Sequence, residues 1–468
     1  MKKIRKYSLK WSFSLLISFG FLLMTSCNSQ DSLELLTSKS DSSSFNLKSA
    51  SLPRVSVSNG DFINNSSIWH PTGMNYTKTM VIAWKQYDAA GNYVTSINQE
   101  THKTLLVPSF DINSIFSAFN SIKYDGYNFV RIMINNEGEG TASGITYYGV
   151  GGPYNLGANH KDGLYIPYMD NFINLLTKAN EKGLFVIPCL NYLPYNSYYQ
   201  SSLTKPSDGN GGYYIDNENL YYMHQDYIDA KTNYIKNFIQ YIKDKDPNLL
   251  STILSYDFQN ELNVLTSAAP FSRSDVVATA DGNSYNMSID ADRQQCVDAN
   301  FVNWANLCKS AMLTKDALGM GCGSVFTFNA VGKTGPNGVH SAAGSDQRYP
   351  ARPASLSSYS NYNFLDMHLY PTGGSYTVDG DLNSSEYNYI NKTRTPLVLG
   401  EFGAIKNVYS TISIAAYAMK DLKNYCKNSK SFKGWAFWTW DSNQTNFYNA
   451  TESNGAINGQ LAPSVWGW

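Results

Sequence analysis

Charge is scarce in this sequence, and what there is cancels. Only 16% of the 468 residues are charged, and 36 Lys and Arg stand against 37 Asp and Glu, for a net charge of −1. Without a surplus of either sign there is no electrostatic case for nucleic acid or for an acidic polymer as partner. Cysteine is sparse too: Cys27, Cys189, Cys296, Cys308, Cys322 and Cys426. The five after Cys27 are an odd number at irregular spacing, which fits neither a disulfide framework nor a zinc pattern. Cys189 and Cys322 lie in apolar runs and read as buried thiols, while one disulfide involving Cys296 or Cys308 is compatible with export. His70, His102, His160, His224 and His340 form no pair with metal-ligand spacing, so no metal is expected. No glycine-rich phosphate loop follows a strand, which argues against an open nucleotide-binding sheet. No cofactor is expected.

Long apolar runs are confined to the start of the chain. Met1 to Lys6 is basic, and Phe13 to Met24 is apolar but short for a membrane span, a pattern that reads as an export signal over residues 1–26. It ends in Leu23-Met24-Thr25-Ser26-Cys27, which resembles the lipobox of bacterial lipoproteins, with Met and Thr where Leu and Ala are usual. That resemblance implies lipid on Cys27 and a protein anchored to the outer membrane or cell surface. A Ser-rich tether occupies residues 27–53, and one large domain is expected over residues 54–468.

What the chain has in abundance is aromatic: 35 Tyr, 22 Phe and 9 Trp. Flat rings in an exported, weakly charged protein suit a neutral, hydroxylated ligand. Tyr192, Tyr195, Tyr198, Tyr199, Tyr213 and Tyr214 crowd one segment and are candidates for stacking on sugar faces. Most of the other aromatics are expected to be core.

Along the domain a unit repeats, a helix of period 3.6 followed by an apolar strand. Arg54–Val57 and Phe62-Ile63 read as a hairpin that closes the bottom of a barrel, and Gly73–Tyr76 as the first barrel strand. An insertion follows between Thr77 and Val107. Helices are expected over Asp111–Ile122, with Asp111 as N-cap, and over Tyr165–Lys182, Gln225–Lys243, Asp290–Leu313 and Thr411–Lys427. Shorter pieces lie near Ala354 and Ser384. The strands between them are Tyr127–Ile134, Leu184–Asn191, Ile253–Tyr256, Ser324–Phe328, Asn363–His368, Leu397–Glu401 and Phe432–Trp438. Eight strands alternating with helices predict an α/β fold, a (β/α)8 TIM barrel. The long segments all follow strands, which places them as βα loops around the C-terminal face, where such barrels carry their chemistry.

Two acids end strands there, Glu261 after Ile253–Tyr256 and Glu401 within Leu397–Gly403. Glycosidic bond cleavage needs two carboxyl groups facing one bond. With Arg131 on strand two, Asn260-Glu261 after strand four, His368-Leu369-Tyr370 on strand six, Glu401 on strand seven and Trp438 on strand eight, the chain from about Arg54 to Trp468 resembles a clan A retaining glycoside hydrolase, closest to family 5. Any one of these residues alone is weak evidence; their joint order is strong. The resemblance implies Glu261 as acid/base, with a pKa raised by burial and the neighbouring carboxylate, and Glu401 as nucleophile. It implies that Arg131 and Tyr370 hold Glu401, Asn260 binds the sugar 2-hydroxyl, His368 orders the network and Trp438 floors the sugar. Strand three ends in Leu190-Asn191-Tyr192, without the His of many family 5 cellulases. Val186–Asn191 looks like the β-mannanases, which makes Asn191 a candidate substrate-binding residue; strand eight looks less mannanase-like. The expected activity is endo-hydrolysis of a neutral β-linked polysaccharide with retention, β-mannan slightly ahead of β-glucan, by a monomer. The alternatives are an exo-β-glycosidase or transglycosylase of the same clan, or a carbohydrate-binding lipoprotein without turnover.

Overall fold

A computed structural model describes residues 51–88, 91–204, 218–339, 346–374 and 376–468. The export signal, Cys27, nearly all of the tether, Tyr213, Tyr214 and His340 lie outside the described residues. Eight parallel strands close on themselves: β1 Thr72–Asn75, β2 Phe129–Ile134, β3 Phe185–Leu190, β4 Tyr256–Asp257, β5 Gly321–Phe326, β6 Phe364–His368, β7 Leu397–Ile405 and β8 Gly434–Trp438. Closure comes from β8 pairing with β1, Trp438 beside Asn75, and from β6 pairing with β7. This is the (β/α)8 barrel that the alternation of elements predicts.

The helices around it are α1 Ile112–Tyr124, α2 Ile166–Glu181, α3 Gln225–Lys245, α4 Asp290–Leu313, α5 Pro353–Tyr359, α6 Val378–Ser384 and α7 Ile412–Lys430. The Asp111 carboxylate accepts from the Asn113 and Ser114 N–H groups, capping α1 as its sequence position predicts. Thr411 caps α7 in the same way.

Two strands depart from expectation. Pro247–Thr252 forms a 3-10 turn, so the apolar Ile253 makes only a bridge to Val186, and β4 shrinks to Tyr256–Asp257. The β5 strand starts earlier, at Gly321, and ends at Phe326, because Asn329–Val331 winds into a second 3-10 turn. All five described cysteines are free and buried, so none of them forms a disulfide. Cys296 and Cys308 both lie on α4. No helix of the described residues is long and apolar enough to cross a membrane.

Side chains alternate in and out along each strand. On β2, Val130, Ile132 and Ile134 join the large cluster beneath the helices, while Phe129 and Met133 belong to two separate inner clusters. Phe129 meets Phe185, Ile187, Leu254, Phe364 and Val398 in a bottom layer, plugged by Phe62 from the strands Ser56–Ser58, Asp61–Asn64 and Ser67–Trp69. The Phe62 ring meets Phe364 edge-on at 5.2 Å, and Trp69 meets Phe185 at 5.5 Å. Met133, Cys189 and Trp438 form an upper layer. Between the two sits Arg131, 1% exposed. The barrel is therefore filled with hydrocarbon at its base and with charge at mid-height.

Candidate active site

Arg131 is the hub of the charged layer. Its NH1 group donates to Glu401 Oε1 at 2.5 Å and to Asn75 Oδ1 at 3.2 Å. Its NH2 group donates to Asp257 Oδ2 at 2.7 Å and Asn260 Oδ1 at 2.8 Å, and its Nε lies 3.4 Å from Asp366 Oδ2. Strand register produces this convergence: Asn75 pairs with Arg131 across β1 and β2, and Cys189 with Asp257 across β3 and β4. A guanidinium this buried is tolerable only because several carboxylates surround it.

Glu401 is nearly inaccessible, its side chain 5% exposed, and its other oxygen accepts from the Tyr370 hydroxyl at 2.7 Å. Glu261 is 25% exposed, and its Oε1 is 2.9 Å from His368 Nδ1. That same Nδ1 is 3.5 Å from Glu401 Oε2, while Nε2 faces Ser324 Oγ at 3.0 Å and Asp366 Oδ1 at 3.6 Å. One oxygen of each glutamate and a ring nitrogen of His368 all lie within 4.8 Å of one another. Glu261 and Glu401, 140 positions apart in sequence, thus come together around His368.

Backbone conformation contributes as well. Glu261 has φ 50° and Tyr192 has φ 38°, left-handed values that cost a non-glycine residue free energy and persist where the surroundings over-determine them. Here side chains supply that constraint. The Glu261 N–H donates to Ser324 Oγ, the Tyr192 N–H to Gln259 Oε1, and the Asn260 N–H to Asn191 Oδ1 at 2.8 Å. Asn191 therefore grips the loop that carries Glu261. Lys231 from α3 donates to the Leu190 and Tyr192 carbonyls on either side of Asn191.

Electrostatically the site sets four carboxyl groups (Asp257, Glu261, Asp366 and Glu401) against Arg131 and His368. Burial alone would deprotonate His368, but the Glu401 charge, the Asp366 contact and the Glu261 hydrogen bond push it up to about 10, which favours the imidazolium. Burial pushes Glu401 above the usual carboxylate range, against the opposing pull of His368 and Arg131. Burial acts on Glu261 too, but the His368 hydrogen bond and charge outweigh it and hold this group below the usual range. This corrects the expectation of a raised Glu261: the sequence does not show that a cationic imidazole sits 2.9 Å away. The proton that Glu261 lacks is held by its neighbour. Glu261, His368 and Glu401 could also gather around a cation, but a protonated His368 and a Glu401 already occupied by Arg131 and Tyr370 make a poor ligand set.

Trp438, 7% exposed, lies in the upper layer with Met133 and Cys189, its Nε1 donating to Gln444 Oε1 at 2.9 Å, with His102 edge-on at 5.9 Å. Of the described loop tyrosines, Tyr199 is buried, its hydroxyl bound to the Asp162 carbonyl, while Tyr195 packs against Tyr87 and Tyr154. Tyr198 is 40% exposed and meets Tyr199 edge-on. Sequence reading missed Asn75, Asp257, Ser324, Asp366 and Gln444. Asp257 and Asp366 carried a signal, an acid inside an apolar strand, which is rare without a buried partner.

No family model and no curated protein matches this chain. Among solved structures, an endo-1,4-β-mannanase from Rhizomucor miehei aligns over 88% of this chain and 99% of its own, with 14% identity and TM-score 0.54. The two share a fold. A family 5 mannosidase from the same organism (11% identity, 89% and 98% covered, TM-score 0.49) and a β-1,4-D-mannanase from Cryptopygus antarcticus (15%, 88% and 94%, 0.47) are also similar.

Proposed function

We propose that this protein is a retaining β-glycosidase acting on a neutral β-linked saccharide, β-mannan ahead of β-glucan, with Glu401 as nucleophile and Glu261 as acid/base. The observation that carries the reading is the approach of the two carboxyl groups, with oxygens within 4.8 Å of each other. An inverting pair needs ~6.5–9.5 Å to admit water between carboxylate and sugar, and a retaining pair sits ~5–5.5 Å apart. Arg131 and Tyr370 donate to both oxygens of Glu401, which favours its ionised form at the moment of attack. As the glycosidic bond breaks, the proton on His368 passes along its hydrogen bond to Glu261 and on to the leaving oxygen, which leaves His368 neutral and Glu261 ionised. Water then enters past the more exposed Glu261, which returns as base. Asn260, its Oδ1 held by Arg131, presents Nδ2 to the 2-hydroxyl, and Trp438 lies beneath the ring.

Export and lipid attachment at Cys27 belong to the same proposal, resting on the N-terminal sequence; intact mass of the membrane-extracted protein tests them. The test of mechanism is Glu401→Ala with added azide. Hydrolysis should be abolished in a folded protein, and azide should restore turnover with inverted stereochemistry at the anomeric carbon. Undiminished hydrolysis by the variant would remove Glu401 from its role. The binding-lipoprotein alternative predicts no turnover by the parent protein on any aryl β-glycoside.

A further inference from the structure

The loops after β1 and β2 are not independent. Thr79–Tyr87 and Tyr93–His102 pair antiparallel, and the first also pairs with Glu139–Ala142, which pairs with Ile145–Tyr148. The result is a four-stranded sheet standing on the C-terminal rim, built from two βα loops. It is packed: Ile82 and Trp84 are buried against Gly140, where an added Cβ would lie 2.5 Å from either side chain. Lys85 pairs with Glu139 across the seam.

The sheet is also braced at both ends. At its root, the Thr79 N–H and carbonyl both bond to the Asn443 side chain at 2.9 Å, and Lys78 pairs with Asp441 at 3.2 Å, fastening it to the loop after β8. At its far side, Tyr87 stacks on Tyr154 at 4.3 Å, and its N–H donates to the Tyr195 hydroxyl, fastening it to the loops after β2 and β3. His102, the last residue of the hairpin, abuts the Trp438 ring.

Resting on the proposed function, substrate polarity follows from this placement. The leaving group must lie on the Glu261 side, at β4, since that acid protonates its oxygen. The sugar over Trp438 then points its non-reducing end the other way, toward the arc of β8, β1 and β2. That arc carries the braced sheet. We infer that this sheet closes the non-reducing side of the cleft, so that the protein takes chain ends and removes terminal sugars from a β-linked oligosaccharide or polysaccharide. Of the two modes of action the sequence left open, the wall favours the exo mode.

The test uses the full-length protein. A panel of aryl β-glycosides of mono-, di- and trisaccharides first identifies the accepted sugar; no turnover on any would overturn the proposed function itself. An oligosaccharide of that sugar, labelled at its reducing end, is then digested and early products are sized. Exo action gives free monosaccharide and a labelled product one unit shorter, with little fall in viscosity on the soluble polymer. Methylating the terminal 4-hydroxyl should then abolish turnover. Labelled products spread over several lengths, with a rapid fall in viscosity, would overturn the inference while leaving the proposed function standing. Replacing 80–101 by a short turn should shift products toward internal cuts; if that variant does not fold, the product sizes from the parent protein decide alone.

Discussion

Replacing Asp366 by Asn removes one charge from beneath His368 and keeps the side chain's shape. Asp366 is 1% exposed, and its Oδ1 is 3.6 Å from His368 Nε2. At an effective dielectric constant of ~20 that separation corresponds to about 4–5 kcal/mol, which caps the shift at about 3 pH units at ~1.4 kcal/mol each. Water entering the variant would reduce it toward ~1 unit. His368 is also faced by Glu261, Glu401, Ser324 and, one side chain further, Arg131, so its value should fall from about 10 without reaching that of a histidine buried among neutral groups. In the proposed mechanism the active form keeps one proton on the His368–Glu261 pair, and the basic limb of kcat/KM reports its loss. That limb should move to lower pH by about 1–3 units in Asp366→Asn. The sign for stability follows the same group. A histidine raised in the fold stabilises fully below its ordinary 6.5, and the contribution is lost as pH rises through about 10. In the variant that loss should be smaller and complete at a lower pH. Imidazole NMR titration and denaturant unfolding against pH read both effects. A basic limb and a His368 titration that stay within a few tenths of the parent's would refute the assignment, even if activity fell.

Glu261→Gln should slow poor leaving groups by about 10²–10⁴-fold while sparing activated aryl glycosides, which need little acid assistance; equal losses on both would count against the acid role. Gly400→Ala would place a Cβ 1.5 Å from Asp366 Oδ1, so it should cost about 3 kcal/mol or more in thermal unfolding, and adding Asp366→Ala should recover part of that loss. Simple additivity of the two would show that the close approach is not the cause. Lys231→Met should leave the Leu190 and Tyr192 carbonyls without their donor, costing about 1–3 kcal/mol. Because those carbonyls flank Asn191, kcat/KM should also drop by about tenfold or more, and a stability loss with unchanged kinetics would place Lys231 outside the active-site framework.

The alternation of elements, and with it the barrel, is legible in the residue pattern, because the periods of 2 and 3.6 are set locally by which side chains must leave water. The span of α4 and the Asp111 cap are legible for the same reason. The sequence was less informative where short-range geometry overrode the pattern, as where the turn at Pro247 trimmed β4. It also named Glu261 and Glu401 as strand-end acids, but only the tertiary structure set them within reach of one ring. The protonation of the site was settled there too. Asp366 and His368 are two positions apart on one strand, yet their effect on Glu261 depends on the loop after β4, two strands away, and on Arg131 spanning the barrel. The rim sheet is likewise a tertiary product, joining loops that the intervening helix separates in sequence. Local pattern encodes what is buried; charge, reach and access depend on distances that exist only once the barrel has closed.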